Sequence, residues 1–401
     1  MASNFNTLDN GFEWKADKID WPVTTPSGQG LAGAIASETQ VALINPNKGE
    51  LSYRGISIEE LAGKASFEEV AYLLVEGRHW KINPDEFQHF CRRLHRVRQM
   101  PEEVLNLIAS QPLNTHPTRL LRAAISALGC FDIIPHDNLK ENQSWEFVWI
   151  ISQVEAIVGH IARFRMERKP LVSDYRQSLA KDLLYMILNT RPTLQQEKLL
   201  NLLWVTYADH GLDATTFTGM VVGSTKTDPY YNVVAGLSAL RGPLIGGAVE
   251  RVIRMLLGLR DANVAKAWTE GMIAKGYIIP GFGQRYSSAK DPRVTILKKF
   301  LPEFAETDEQ KLLLEVSTTI EEIASPHLNP KGVYVNINFY SALLFHYLGV
   351  DPELGPCIYA IGRMAGLVAR IKEYSANNKV FWPKEKYVGP TNRSYVAMED
   401  R

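Results

Sequence analysis

Side chains able to do chemistry are sparse in this chain. It has nine histidines and three cysteines in 401 residues. An imidazole changes charge near neutral pH and suits acid–base work. A guanidinium presents a planar fork that meets a carboxylate bidentately. Arg363 stands out because its neighbours Ile361 and Ala365 are apolar, and a buried guanidinium needs an anionic or polar partner. Cys91, Cys130 and Cys357 are too few and too scattered for a disulfide frame or a zinc site, so they read as core or surface residues and no metal is expected. Gly28, Gly30 and Gly33 form a formal G-x-G-x-x-G. That pattern cradles a dinucleotide only after a strand and before a helix, and here Thr24-Thr-Pro-Ser precedes it. The sequons at Asn142 and Asn392 carry little meaning without a secretory signal. Arg92, Arg93, Arg96 and Arg98 fall among helix-forming residues and read as a solvated face.

The whole composition narrows the field further. Lys plus Arg number 44 and Asp plus Glu number 44, so the formal net charge is zero. A neutral chain has no global field for nucleic acid or anionic lipid. No apolar run looks long enough to span a bilayer, and the first 25 residues lack the apolar core of a signal peptide. A cytoplasmic globular protein handling a small molecule is the expectation.

The elements that must position these groups are almost all helical. Ser57 with Glu60, and Ser66 with Glu69, predict two capping boxes. Phe67, Val70, Leu73 and Leu74 follow as an apolar stripe at helix spacing. After Pro117, the residues Leu121, Ala124, Ile125 and Leu128 repeat the pattern, with Gly129 as the stop. Helices are expected over 145–166, 177–188, 195–208, 214–224, 246–258, 264–275, 308–324, 339–348 and 357–374. Only 39–54 reads as strand–turn–strand, around Asn45-Pro46-Asn47. Gly and Pro gather in presumed loops at 242–247, 280–283, 329–332 and 349–356. The expected architecture is all-α with one small β-hairpin near the N-terminus. A large helical domain would comprise 1–234 and 346–401, with a smaller mobile helical domain at 235–345. The polar tail 376–401 would lie on another surface.

Several stretches, in order, resemble the citrate synthase family. They are Leu51-Ser-Tyr-Arg-Gly, His116-Pro-Thr-Arg-Leu-Leu-Arg, Ala208-Asp-His-Gly-Leu-Asp-Ala-Thr-Thr-Phe, Gly242-Pro-Leu-Ile-Gly-Gly-Ala, Gly281-Phe-Gly-Gln-Arg with Asp291-Pro-Arg, and Val335-Asn-Ile-Asn-Phe-Tyr-Ser. The resemblance spans about residues 30 to 390. It implies an all-α homodimer whose two domains close over a cleft, with the tail reaching the partner subunit. It also implies a condensation in which an aspartate deprotonates the methyl of acetyl-CoA. One histidine would then polarise the thioester, and a second would act on the ketone of oxaloacetate. Such a weakly acidic methyl needs a placed base and an oxyanion donor together.

The sequence departs from that family at the reacting groups. The positions of the two catalytic histidines hold Ile245 and Gln284, and that of the aspartate holds Asn338. Isoleucine donates nothing, glutamine shuttles no proton near pH 7, and asparagine has no useful basicity. A base contributes roughly 10²–10⁴-fold and an oxyanion donor about 10²–10³-fold, so ordinary activity is expected to be absent or very weak. The resemblance keeps a carboxylate shell in His210, Arg293 and Arg363, and leaves His210 as the imidazole for acid–base work. The partner's arginine becomes Trp382, placing an aromatic group among the substrate contacts. A coenzyme-facing basic residue becomes Ser288, with Lys290, Lys384 and Lys386 nearby to restore charge. Further changes are Val249, Leu367 and Arg370. No cofactor is expected to be tightly bound, and use of a CoA thioester stays open.

Three functions are compatible with these residues. One is a repurposed enzyme, acting on a carboxylate-bearing substrate by acyl transfer or C–C bond formation. Another is a non-catalytic metabolite-binding or regulatory homologue, or one that pairs with an active paralogue. The third is a citrate or methylcitrate synthase working with substituted groups.

Overall fold

The computed structural model describes residues 23, 25, 27–45, 47–131, 139–174, 176–259, 261–283 and 290–400. Near the N-terminus β1 (Ala42–Asn45), β2 (Glu50–Tyr53) and β3 (Ile56–Ser57) form an antiparallel sheet. Its register pairs Ala42 with Tyr53 and Asn45 with Glu50. Sixteen α-helices follow among the described residues. The first ten are α1 (Ile58–Leu61), α2 (Phe67–Glu76), α3 (Pro84–Arg96), α4 (Glu102–Ala109), α5 (Pro117–Leu128), α6 (Leu139–Arg165), α7 (Leu179–Leu188), α8 (Leu194–Tyr207), α9 (Ala214–Gly223) and α10 (Pro229–Leu240). Then come α11 (Gly247–Gly258), α12 (Ala262–Ala274), α13 (Pro292–Phe304), α14 (Asp308–Leu328), α15 (Ile337–Tyr347) and α16 (Gly355–Ala376).

Helix α16 is the axis of the fold. Every residue from Gly355 to Ile371 is buried. The helix packs against α2, α6, α8 and α9, while α9 and α10 pair beside it. Helices α11 to α15 make a second layer, in which α12 lies on α14, and both α11 and α13 lie on α15. Burying each large apolar side chain contributes roughly 1.5–3 kcal/mol, so a helix apolar on all faces is stable only where neighbours surround it. Two segments, Phe147–Arg165 and Pro352–Ala376, are in fact long and apolar enough to cross a membrane. This corrects the expectation that no such run exists. Within their windows 83% and 100% of residues are buried inside the protein, which makes them core helices of this fold.

Local chemistry explains where the helices start. Ser66 accepts from Glu69 N and Glu69 returns a bond to the Ser66 backbone, as the expected capping box. Ser57 caps α1 differently, accepting from Glu59 N rather than completing a box with Glu60. A helix of one turn has little room for the reciprocal bond. Helix α5 ends at Leu128 as expected, with Gly129 still in right-handed helical geometry. The presumed loop 349–356 is half helical, because Pro352–Leu354 form a 3-10 turn and α16 begins at Gly355.

The arginine cluster also needs correcting. Arg92 and Arg96 are exposed, but Arg98 is 1% exposed. Its guanidinium donates to the carbonyls of Asp174 and Gln177 and lies 3.3 Å from Asp182 and 3.9 Å from Glu155. Arg98 sits past the end of α3 (Pro84–Arg96), so helical spacing does not govern where it points.

Candidate active site

The cleft that gathers the expected residues has a volume of about 370 Å³ and is lined in part by residues of α9, α15 and α16. His210, Ile245, Arg293, Asn338 and Arg363 all line it. Gln284 and Ser288 lie outside the described residues. Lys290 is exposed and does not line the cleft. Trp382 is 87% exposed in the tail and does not line the cleft of its own chain.

Each wall has a local cause. Ile245 ends a tight turn in which its N–H bonds Gly242 O and Gly246 N bonds Leu240 O, just before α11. Asn338 stands at the start of α15, its N–H on the Oδ1 of the capping Asn336. Asn336 in turn clips that helix to the 281–283 loop, through its N–H on Gly281 O and its Nδ2 on Gly283 O. Gly281 has φ +85°, and a Cβ there would come within 2.6 Å of the Phe339 ring, so this turn admits only glycine. The Asn338 amide oxygen is buried without a partner.

The His210 loop is held from α16. Gly366 N donates to Ala208 O at 2.9 Å. One turn further on, Arg370 grips Asp209 with Nε at 2.7 Å and Nη2 at 2.9 Å, and Gly211 N donates to the same carboxylate at 2.9 Å. Burial alone would raise the Asp209 carboxyl, but the Arg370 guanidinium outweighs it and holds the group below its ordinary value. Tyr53 from β2 completes the frame, its hydroxyl bridging Val205 O and Asp209 O while receiving Asp209 N–H. The imidazole itself is pushed down to about 3, first by burial and then by the charge of Arg293. His210 is therefore neutral at pH 7, with its Nδ1 buried and unpaired.

Both arginines meet internal carboxylates, which sequence spacing gave no means of finding for Arg363. Arg293 is 3% exposed, and its Nε and Nη2 donate to Asp291 at 2.9 and 2.7 Å. Arg363 is 1% exposed, and its Nη2 donates to the Tyr359 hydroxyl at 2.6 Å. Its Nη1 lies 3.2 Å from Asp213 Oδ2, while Nε and Nη1 make no hydrogen bond. Asp213 is the N-cap of α9, accepting from Thr216 N. Asp213, Tyr359 and Phe217 all line the cleft and were not anticipated.

The glycine-rich segment, to which the sequence gives no strand–helix context for a cofactor loop, forms a 3-10 turn, Gln29–Leu31. It nonetheless supplies Gly30, Leu31, Ala34 and Ala36 to the cleft wall. The three cysteines are free, and no group of three or more His, Cys, Asp or Glu is arranged for a metal among the described residues.

Comparison with known proteins agrees with this frame. Residues 30–384 match the family described as citrate synthase, C-terminal domain. The chain is 31% identical to a citrate synthase of Deinococcus radiodurans over 373 residues, covering 93% of this chain and 98% of that one. It is 30% identical to a 2-methylcitrate synthase 2 of Corynebacterium glutamicum, covering 94% and 99%. Among solved structures, the ternary complex of Thermoplasma acidophilum citrate synthase with carboxymethyl coenzyme A and oxaloacetate superimposes with a TM-score of 0.88. That match has 26% identity and covers 94% of this chain and 100% of that one. A citrate synthase of Thermotoga maritima gives a TM-score of 0.83 at 28% identity, covering 93% and 99%. With its all-α architecture and its family match over most of its length, the chain belongs to the citrate synthase family.

Proposed function

We propose that this chain is a repurposed member of the family that binds a carboxylate-bearing small molecule in the cleft and does not run the ordinary condensation of acetyl-CoA with oxaloacetate. The observation that carries this is Arg363. It is 1% exposed, lines the cleft, and keeps Nε and Nη1 free of hydrogen bonds. A buried guanidinium with unused donors is costly unless a ligand completes it. Across the cleft stand Ile245 and Asn338, at positions where family resemblance expects an imidazole and a carboxylate. Neither can take a proton from a methyl group or donate to an enolate as those groups do. His210 remains, neutral and able to exchange one proton. Acyl transfer or C–C bond formation on a different substrate fits these groups. The exposed Trp382, Tyr387, Val388 and Tyr395 of the tail support a homodimer in which the tail covers a second copy.

Two measurements test this. Purified protein given acetyl-CoA or propionyl-CoA with oxaloacetate should release no free CoA above background. Turnover near 1 s⁻¹, an ordinary enzyme rate, would instead favour a working citrate or methylcitrate synthase, which the names of the relatives allow. Calorimetry with a panel of mono- and dicarboxylates should show binding that Arg363→Met abolishes. Equal binding by both proteins would remove Arg363 from the site.

A further inference from the structure

The cleft's two arginines are each already matched by an acid of the same chain. Arg293 has both Nε and Nη2 on Asp291, behind the cleft wall. Arg363 has Nη1 3.2 Å from Asp213 Oδ2, and both of these residues line the cleft. Among the described lining residues the formal charges are therefore two cations and one anion, with Asp291 buried against one of the cations. His210 adds no charge at neutral pH. The Arg363–Asp213 contact is a loose one. It satisfies the distance of an ion pair but not the geometry of a hydrogen bond, so Nη1 stays an unused donor. The Arg370–Asp209 pair, two helical turns along the same helix, makes two hydrogen bonds. Of these two pairs, the one facing the cleft is the one left open.

An incoming ligand must not strand a charge in the cleft, because an ion that loses its partner in a poorly solvated site is left uncompensated. A dianion that took Arg363 would leave Asp213 facing both the ligand and an empty contact. A ligand carrying its own cation leaves neither side unpaired. Beside the polar His210, Asn336, Asn338 and Tyr359, apolar side chains including Phe217, Ile245 and Ile337 line the cleft.

Building on the carboxylate-binding reading above, we propose that the ligand is a zwitterion of amino-acid type with an apolar side chain. It inserts between Arg363 and Asp213, placing its carboxylate on the guanidinium and its ammonium on the Asp213 carboxylate, while its side chain rests against Ile245 and Phe217. Asp213 is then the residue that determines specificity, and it and Arg363 together exchange one internal ion pair for one ligand contact each.

The test uses the full chain and three probes: L-leucine, its des-amino analogue 4-methylpentanoate, and succinate. Binding is measured by calorimetry for wild type and Asp213→Asn. Asparagine is as good a helix N-cap as aspartate, so α9 should keep its start, and a thermal melt verifies that the variant folds. In wild type, L-leucine should bind at least about tenfold more tightly than 4-methylpentanoate or succinate, the size of one charge-assisted bond. In Asp213→Asn the order should invert, with L-leucine weakened by about tenfold and succinate strengthened. If wild type prefers succinate, or if Asp213→Asn leaves the L-leucine affinity unchanged, the zwitterion proposal is overturned while the carboxylate cleft stands. If no probe binds wild type and none of the wider carboxylate panel does, the carboxylate cleft itself falls.

Discussion

Replacing Arg370 with methionine should expose how the His210 loop is held. The guanidinium makes two bonds of 2.7 and 2.9 Å to Asp209, which is 0% exposed. Methionine fills much of the same space but leaves that carboxylate with one described hydrogen-bond donor, Gly211 N. Two unit charges about 4 Å apart attract by roughly 4 kcal/mol at an effective dielectric near 20. Breaking one partner of a buried pair costs about 3–5 kcal/mol by experiment elsewhere. We therefore expect Arg370→Met to lose about 3–5 kcal/mol in urea denaturation followed by tryptophan fluorescence. Adding Asp209→Asn should recover at least about 2 kcal/mol, because the uncompensated charge is then gone. The pH dependence gives a second readout. In wild type the Asp209 carboxyl titrates below its ordinary value of 3.8. Its contribution is thus fully present above that value and lost as pH falls through the lower, folded value. In Arg370→Met the desolvation of Asp209 loses its main counterweight and the carboxyl rises, so the deficit relative to wild type should narrow as pH is lowered through that raised value. A loss below about 1 kcal/mol, or a deficit that does not narrow on acidification, would refute the assignment of Arg370 as the clamp.

Two further outcomes are expected. His210 is depressed from 6.5 to about 3, so below pH 6.5 the unfolded chain binds a proton that the folded one refuses. Its contribution to stability therefore declines as pH drops from 6.5 toward 3, and its ring resonances in NMR should not shift between pH 8 and pH 5; a titration near 6.5 in the folded protein would contradict the burial described. Gly366→Ala should destabilise by about 2 kcal/mol or more in thermal denaturation, although alanine gains about 1 kcal/mol of helix propensity. Its Cβ would sit 2.3 Å from Ala208 O and 2.7 Å from Asp209 Cβ, and a variant as stable as wild type would show that α16 and the loop are not in contact there.

What could be read from the amino-acid order was whatever depends on neighbours. The stripe of Phe67, Val70, Leu73 and Leu74 and the Ser66–Glu69 cap belong to one turn or two of helix, and both are present. Helices α10 and α13 went without expectation although each begins with an Asp-Pro start, Asp228-Pro229 and Asp291-Pro292. That signal was available and would have placed them. The pairings that give the site its electrostatics were not available. Asp209 and Arg370 are 161 residues apart, and the Arg363–Asp213 pair also joins distant parts of the chain. Spacing carries no information about contacts made by packing α9 on α16. The burial of Arg98 escapes sequence spacing for the same reason, since the acids that draw it inward, Glu155 and Asp182, come from α6 and α7. Ile245, Asn338, Arg293 and Arg363, named from the motif resemblance, line one cleft; Asp291 lies two residues before Arg293 in the sequence, whereas nothing in the order of residues pairs Arg363 with Asp213.

Arg363 and Arg370 stand seven residues apart on one buried helix, which is close to two turns and about 10.5 Å of rise. They hold opposite ends of the same short segment, Arg370 at Asp209 and Arg363 at Asp213. The segment is thus riveted at one end and latched at the other. On the ligand reading proposed above, opening the latch would free Asp213 at the start of α9 while Arg370 still held the His210 end through Asp209. The two ends of these five residues are thus tied with different tightness to one helix.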